Sequence, residues 1–80
     1  MRLRCSLELD LGDEWLADLV HRALLPEVRS PPSFRSSATV GREGTKVVLT
    51  VESGDVSSLR AALNGYLRVL SAVLETITPR

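Results

Sequence analysis

Leu3, Cys5, Leu7, Leu9 and Leu11 alternate with Arg2, Arg4, Ser6, Glu8 and Asp10 at the start of the chain. A period of two over ten residues predicts a strand with one face buried and one wet. Gly12 ends it, and Asp13 is placed to cap a helix by accepting an orphan backbone N–H. From Glu14 to Leu25 the apolar residues Trp15, Leu16, Leu19, Val20, Ala23 and Leu24 recur at helical spacing. Acidic Glu14 and Asp18 come early, and His21 and Arg22 late, as the helix dipole favours. Pro26 is expected to stop this helix, because it has no N–H to donate.

Three prolines mark the stretch from Pro26 to Ser33 as a loop. Phe34 to Val40 then reads as a Ser-rich second strand, and Gly41-Arg42-Glu43-Gly44 as a turn. Lys46 to Ser53 is the most β-branched run, with Val47, Leu49 and Val51 on one face and Val48 and Thr50 on the other. Two strands separated by a short turn make a hairpin. Gly54 and Asp55 break the third strand and cap a second helix from Val56 to about Ile77.

Connection rules turn these elements into a fold. A helical crossover makes strands one and two parallel, and the hairpin makes strand three antiparallel to both. The expected fold is α+β: a single βαββα domain spanning residues 1–80, its three-stranded antiparallel sheet in the order 2-3-1 and both helices on one face. Glu8 and Asp10 then fall near Lys46, and Arg2 and Arg4 near Glu52. Opposite signs meet across the ladder, so these charges are read as sheet-face pairs and not as a binding patch.

The last helix carries more apolar surface than that fold needs. Leu59, Leu63, Tyr66, Leu70, Val73 and Ile77 step by four, three, four, three and four, a heptad seam. Val56, Ala62, Leu67, Val69 and Leu74 flank it, and the combined arc is about 160°, against about 100° for packing on one small sheet. At about 33 Å the helix also outruns a typical strand. We therefore expect the seam to divide between the core and a helical partner, with the part beyond Leu70 favouring the partner.

Composition narrows the chemistry. Ten basic and ten acidic residues cancel, so no global field draws in nucleic acid or an anionic membrane. Nine of the ten basic residues are Arg, which leaves local phosphate contacts open; Arg29, Arg35 and Arg42, on loops or an edge, are the candidates. Cys5 is the only cysteine and His21 the only histidine, too few for a metal site, and no cofactor is expected. Nucleophile, base and orienting group are nowhere gathered, so an enzyme is not expected. No run approaches the roughly 20 apolar residues of a membrane helix, and the expectation is a cytoplasmic protein. Gly41-Arg42-Glu43-Gly44 matches the GxxG pattern of KH domains, but here it would join two strands and carry an acid where phosphates come.

Asp55-Val56-Ser57-Ser58-Leu59-Arg60-Ala61-Ala62-Leu63-Asn64-Gly65-Tyr66-Leu67-Arg68 resembles the signature of the Pcc/CTAG family, the small dimerisation subunits of the KEOPS complex. Ala23-Leu24-Leu25-Pro26-Glu27 resembles the end of that family's first helix, and the βαββα order covers nearly the whole chain. Gly65 stands where the family pattern has Ser, and its missing Cβ permits another backbone to come close. The resemblance implies a non-catalytic scaffold that supports threonylcarbamoyl-adenosine modification of tRNA. It implies pairing with itself or a paralogue, docking on the catalytic threonylcarbamoyltransferase subunit, and help in holding tRNA. Pairing by strand addition at a sheet edge is expected. The alternative is a stand-alone RNA-binding module; stacking readers carry aromatics on the open sheet face, whereas Arg4, Ser6, Glu8, Val48 and Thr50 supply none.

Overall fold

The computed structural model describes residues 1–30 and 35–77, and of Ile77 the backbone alone. Strand β1 (Leu3–Asp10) leads into helix α1 (Glu14–Arg29), strands β2 (Ser36–Glu43) and β3 (Lys46–Ser53), and helix α2 (Val56–Ile77). The sheet is antiparallel in the order β1-β3-β2. The most apolar strand therefore lies in the centre, as the connection rules predict.

Cross-strand register follows the side-chain alternation. Leu7 faces Leu49 and Leu49 faces Val40, so the apolar residues of all three strands, Val48 excepted, share one face. On the other face Ser6, Thr50 and Thr39 line up across the sheet, with the Ser6 and Thr50 hydroxyls 3.1 Å apart. Arg2 reaches Glu52 at 3.1 Å, and Lys46 lies 3.5 Å from Glu8. The charge pairing expected from the sequence is thus present within the sheet.

Both helices cover the apolar face. Asp13 accepts the N–H groups of Trp15 and Leu16 at 2.8 and 3.3 Å, fixing where α1 starts. The core consists of Ala17, Val20 and Leu24 from α1, Val47, Leu49 and Val51 from β3, and Ala62, Tyr66 and Leu70 from α2. Helix α1 lies mainly over β2, α2 lies mainly over β3, and the helices pack on each other.

The end of α1 and both ends of β2, which starts at Ser36, differ from expectation. Helix α1 continues through Pro26 to Arg29. Pro26 sits in its last turns, where the missing N–H removes one bond without breaking the run, and Ser30 closes the end by donating to the Glu27 carbonyl at 3.3 Å. Strand β2 takes in Gly41, Arg42 and Glu43, so the hairpin turns on Gly44 and Thr45 alone. Gly44 has φ +62°, the left-handed value that a glycine-first two-residue hairpin turn requires. Phe34 lies outside the described residues.

Candidate interaction surfaces

The arrangement of the helices leaves one flank of the fold uncovered. Neither helix packs extensively over β1, which is an edge strand. Its inward residues Leu3, Cys5, Leu7 and Leu9 are consequently only half-buried, unlike Val47, Leu49 and Val51 on the neighbouring strand. Leu7 and Leu9 touch the core from outside.

Helix α2 extends this flank. With Tyr66 directed into the core, Leu63, Val56, Leu74 and Leu67 point roughly 60 to 100° to one side. The right-handed crossover puts α1 on the opposite side, so this row faces toward β1. Exposure agrees: Val56 is 62% and Leu67 43% exposed, while Leu63 and Leu74 are half-buried. An apolar strip thus runs from the inner face of β1 up the side of α2.

The seam residues separate accordingly. Tyr66 and Leu70 are buried in the protomer core. Leu59, Leu63 and Val73 are half-buried against it, and the side chain of Ile77 lies outside the described residues. The core takes the centre of the seam, and the exposed large apolar residues of α2 among those described are Val56 and Leu67 from its flank. Both belong to the wide arc visible in the sequence; only the side on which β1 lies singles them out.

A second surface is the outer side of the helix layer. Trp15, 68% exposed, is the only aromatic residue at the surface among the described residues. From α2, Ala61 and Ala72 are exposed and Gly65 is half-buried, and a Cβ built on Gly65 would meet nothing within 4 Å. The outer side of the helix layer thus carries small side chains on α2 and an exposed Trp on α1.

Electrostatics adds local order without a single charged patch. At the start of α2, Asp55 accepts the Ser58 N–H at 2.8 Å and its hydroxyl at 3.1 Å, and Arg35 lies 3.5 Å from the same carboxylate. These contacts, the Ser58 N–H first, hold the Asp55 carboxyl below its usual value. The three candidate phosphate-binding arginines are not gathered. Arg29 ends α1 and is exposed; Arg35 precedes β2; Arg42 lies near the far end of β2, 3.9 Å from Asp18 and donating to the Gly44 carbonyl at 2.9 Å. Arg35 and Arg42 are roughly 20 Å apart along an extended edge. At the Gly44 end Glu8, Asp13, Glu14 and Glu43 line an open depression with Lys46. Among the described residues no three His, Cys, Asp or Glu side chains converge to hold a metal ion.

Comparison with known proteins agrees with this architecture. Residues 4–78 match the family model described as "Transcription factor Pcc1". The chain is 32% identical over 76 residues to the KEOPS complex subunit Pcc1 of Pyrococcus abyssi, covering 95% of this chain and 93% of that protein. A chain in the crystal structure of the binary Gon7-Pcc1 complex superposes with a TM-score of 0.79 at 15% identity, covering 94% of this chain and 91% of that one. At that identity the superposition speaks for the fold, while the family match spans almost every element described above. This chain belongs to the Pcc1 family.

Proposed function

We propose that this protein is a non-catalytic scaffold subunit of a KEOPS complex, supporting threonylcarbamoyl-adenosine modification of tRNA by joining other subunits. The observation that carries this reading is the apolar strip, with Val56 and Leu67 exposed beside half-buried Leu3, Cys5 and Leu7. An apolar patch next to an open strand edge is a hazard for a lone protomer and an asset for a protein that pairs. A second copy adding its own β1 to that edge doubles the three-stranded sheet to six strands and brings each α2 flank over the dyad.

The outer helix layer then remains open for helices of the catalytic threonylcarbamoyltransferase subunit. Exposed Trp residues are frequent anchors at protein interfaces, and small residues on α2 admit a close helix. The relative from Pyrococcus abyssi is named as a KEOPS subunit, and the structural neighbour comes from a binary Gon7-Pcc1 complex; both support a role in assembly. Zero formal net charge and the separation of Arg35 from Arg42 support tRNA contact only within the assembled complex.

Sedimentation of the purified chain, alone and mixed with the catalytic subunit of its complex, tests this reading. We expect a dimer alone and a larger species containing both proteins in the mixture. A chain that stays monomeric and ignores the catalytic subunit overturns it.

A further inference from the structure

We infer that the order of charges along β1 selects one register of self-pairing, with Ser6 on the dyad, and so favours a second copy of this chain over other strands. This inference rests on the self-pairing reading above and adds to it which residues meet.

The solvent-facing residues of β1 are Arg2, Arg4, Ser6, Glu8 and Asp10: two bases, a neutral centre, two acids. Such a sequence is its own complement when run antiparallel against a copy. With Ser6 facing Ser6, Arg4 meets Glu8 and Arg2 meets Asp10 on both sides of the dyad. A slip of two residues in either direction halves the number of opposite-charge pairs. A slip of one turns the apolar face of one strand toward the polar face of the other.

Backbone geometry allows this arrangement. Leu11 donates its N–H to the Thr45 carbonyl on the inner side of β1. Alternation in an antiparallel ladder then directs the N–H and C=O groups of Arg4, Ser6, Glu8 and Asp10 to the open edge. In the proposed register Arg4 and Glu8 of this set face each other and Ser6 faces its own copy, with Asp10 opposite Arg2. On the inner face the same register sets Leu3 against Leu9 and Cys5 against Leu7, merging two half-covered strips into one.

The intramolecular ion pairs reinforce the pattern. Glu52 lies 3.8 Å from Arg4, and Lys46 lies 3.5 Å from Glu8. Across the joined sheet the signs therefore run Glu52, Arg4, then the second copy's Glu8 and Lys46, alternating throughout. Arg4 and Glu8 retain side-chain exposures of 70% and 59%, so each has room for a second partner. The other edge offers less. Strand β2 shows Ser37, Thr39, Gly41 and Glu43 to solvent, and α1 already covers its inner face.

The experiment compares the dimer dissociation constant of the full chain with those of Arg4→Glu, Glu8→Arg and the double charge swap, at low and high salt. Each single variant places like charges opposite each other twice, and a dissociation constant raised about tenfold at low salt is expected. The double swap restores opposite signs and returns to within a few-fold of the unmodified chain. So does an equimolar mixture of the two single variants, which forms the mixed dimer. Circular dichroism and thermal unfolding check that each variant folds. If the unmodified chain dimerises and the singles dimerise equally well, or the swap and the mixture fail to rescue, the register is wrong and self-pairing stands. If the unmodified chain is a monomer, self-pairing itself falls, and the register with it.

Discussion

Asp55 holds Ser58 twice, accepting its backbone N–H at 2.8 Å through one carboxylate oxygen and its hydroxyl at 3.1 Å through the other. That pair fixes where α2 begins and therefore how its apolar flank lies along β1. Asp55→Ala removes both acceptors and lowers the thermal midpoint, with the loss centred on α2 in amide hydrogen exchange. Asp13→Ala, at the start of α1, is expected to cost about 1 kcal/mol by the same reasoning. A midpoint unchanged in both variants contradicts the capping assignments.

The same carboxylate contributes to acid sensitivity. Asp10 is held below its ordinary value first by the Gly12 N–H and then by the Thr45 hydroxyl; Glu52 by the Arg2 hydrogen bond and charge; Asp55 by Ser58 and Arg35. In all three the unfolded chain takes up protons at a higher pH than the folded chain. Their stabilisation is complete above the ordinary carboxylate range of about 4 and disappears as pH falls through the lower folded values. Denaturant midpoints are expected to be flat near neutrality and to fall below about pH 4. Asp55→Asn retains an acceptor for the Ser58 N–H without a titrating charge, and so gives a shallower acid decline.

Most of this fold is legible in the sequence because its elements repeat cleanly. The alternation from Leu3 to Leu11 and the helical run from Val56 yield β1 and α2 nearly to the residue, and the crossover rule gives the strand order. The misplaced boundaries are those where a neighbour outweighs local preference. Gly41 and Arg42 are weak strand residues, yet β3 offers them Val48 and Val47 as register partners. Pro26 forfeits one i→i−4 bond, yet α1 runs three residues past it to Arg29. The apolar excess of α2 is visible as an arc, but a sequence does not say which flank another strand leaves bare. For that reason the heptad seam directs attention to Tyr66 and Leu70, which the core takes, and away from Val56 and Leu67.

Tyr66 is an unusual core residue: it is 3% exposed, and its hydroxyl finds no hydrogen-bond partner among the described residues. Burial, and then the Glu27 charge, raise its pKa above the ordinary phenol value. Tyr66→Phe discards a buried polar atom without breaking a bond, so stability should hold or rise by about 1 kcal/mol. Tyr66→Ala leaves a cavity and costs about 3–5 kcal/mol, enough to threaten a domain this small. The raised phenol also predicts an alkaline limit. Its contribution is complete below the unfolded value near 10 and lost as pH rises through the folded one, and Tyr66→Phe abolishes that component.

Core and strip residues should respond in opposite ways to the same shortening. Leu24 is 1% exposed, and Leu24→Ala is expected to cost about 2–5 kcal/mol in any oligomeric state. Leu67→Ala, at 43% exposure, should change protomer stability by less than about 0.5 kcal/mol while weakening association. Urea unfolding at several protein concentrations separates the effects, because a loss of association makes the midpoint less dependent on concentration. A Leu67→Ala chain with unaltered concentration dependence removes that residue from the interface.

Gly65 gives a sharper test of the helix layer. Glycine in mid-helix is worse than alanine by about 1 kcal/mol, and here no close packing within the protomer requires it. Gly65→Ala is therefore expected to stabilise the isolated protein by roughly 0.5–1 kcal/mol, measurable by thermal unfolding. If a helix of the catalytic subunit lies against this side of α2, the added methyl intrudes on it, and complex formation weakens in the more stable variant. Opposite signs for folding and binding at one residue are hard to produce by any general disturbance of the chain. A Gly65→Ala protein that is more stable and binds the catalytic subunit as tightly as before places the docking helix elsewhere.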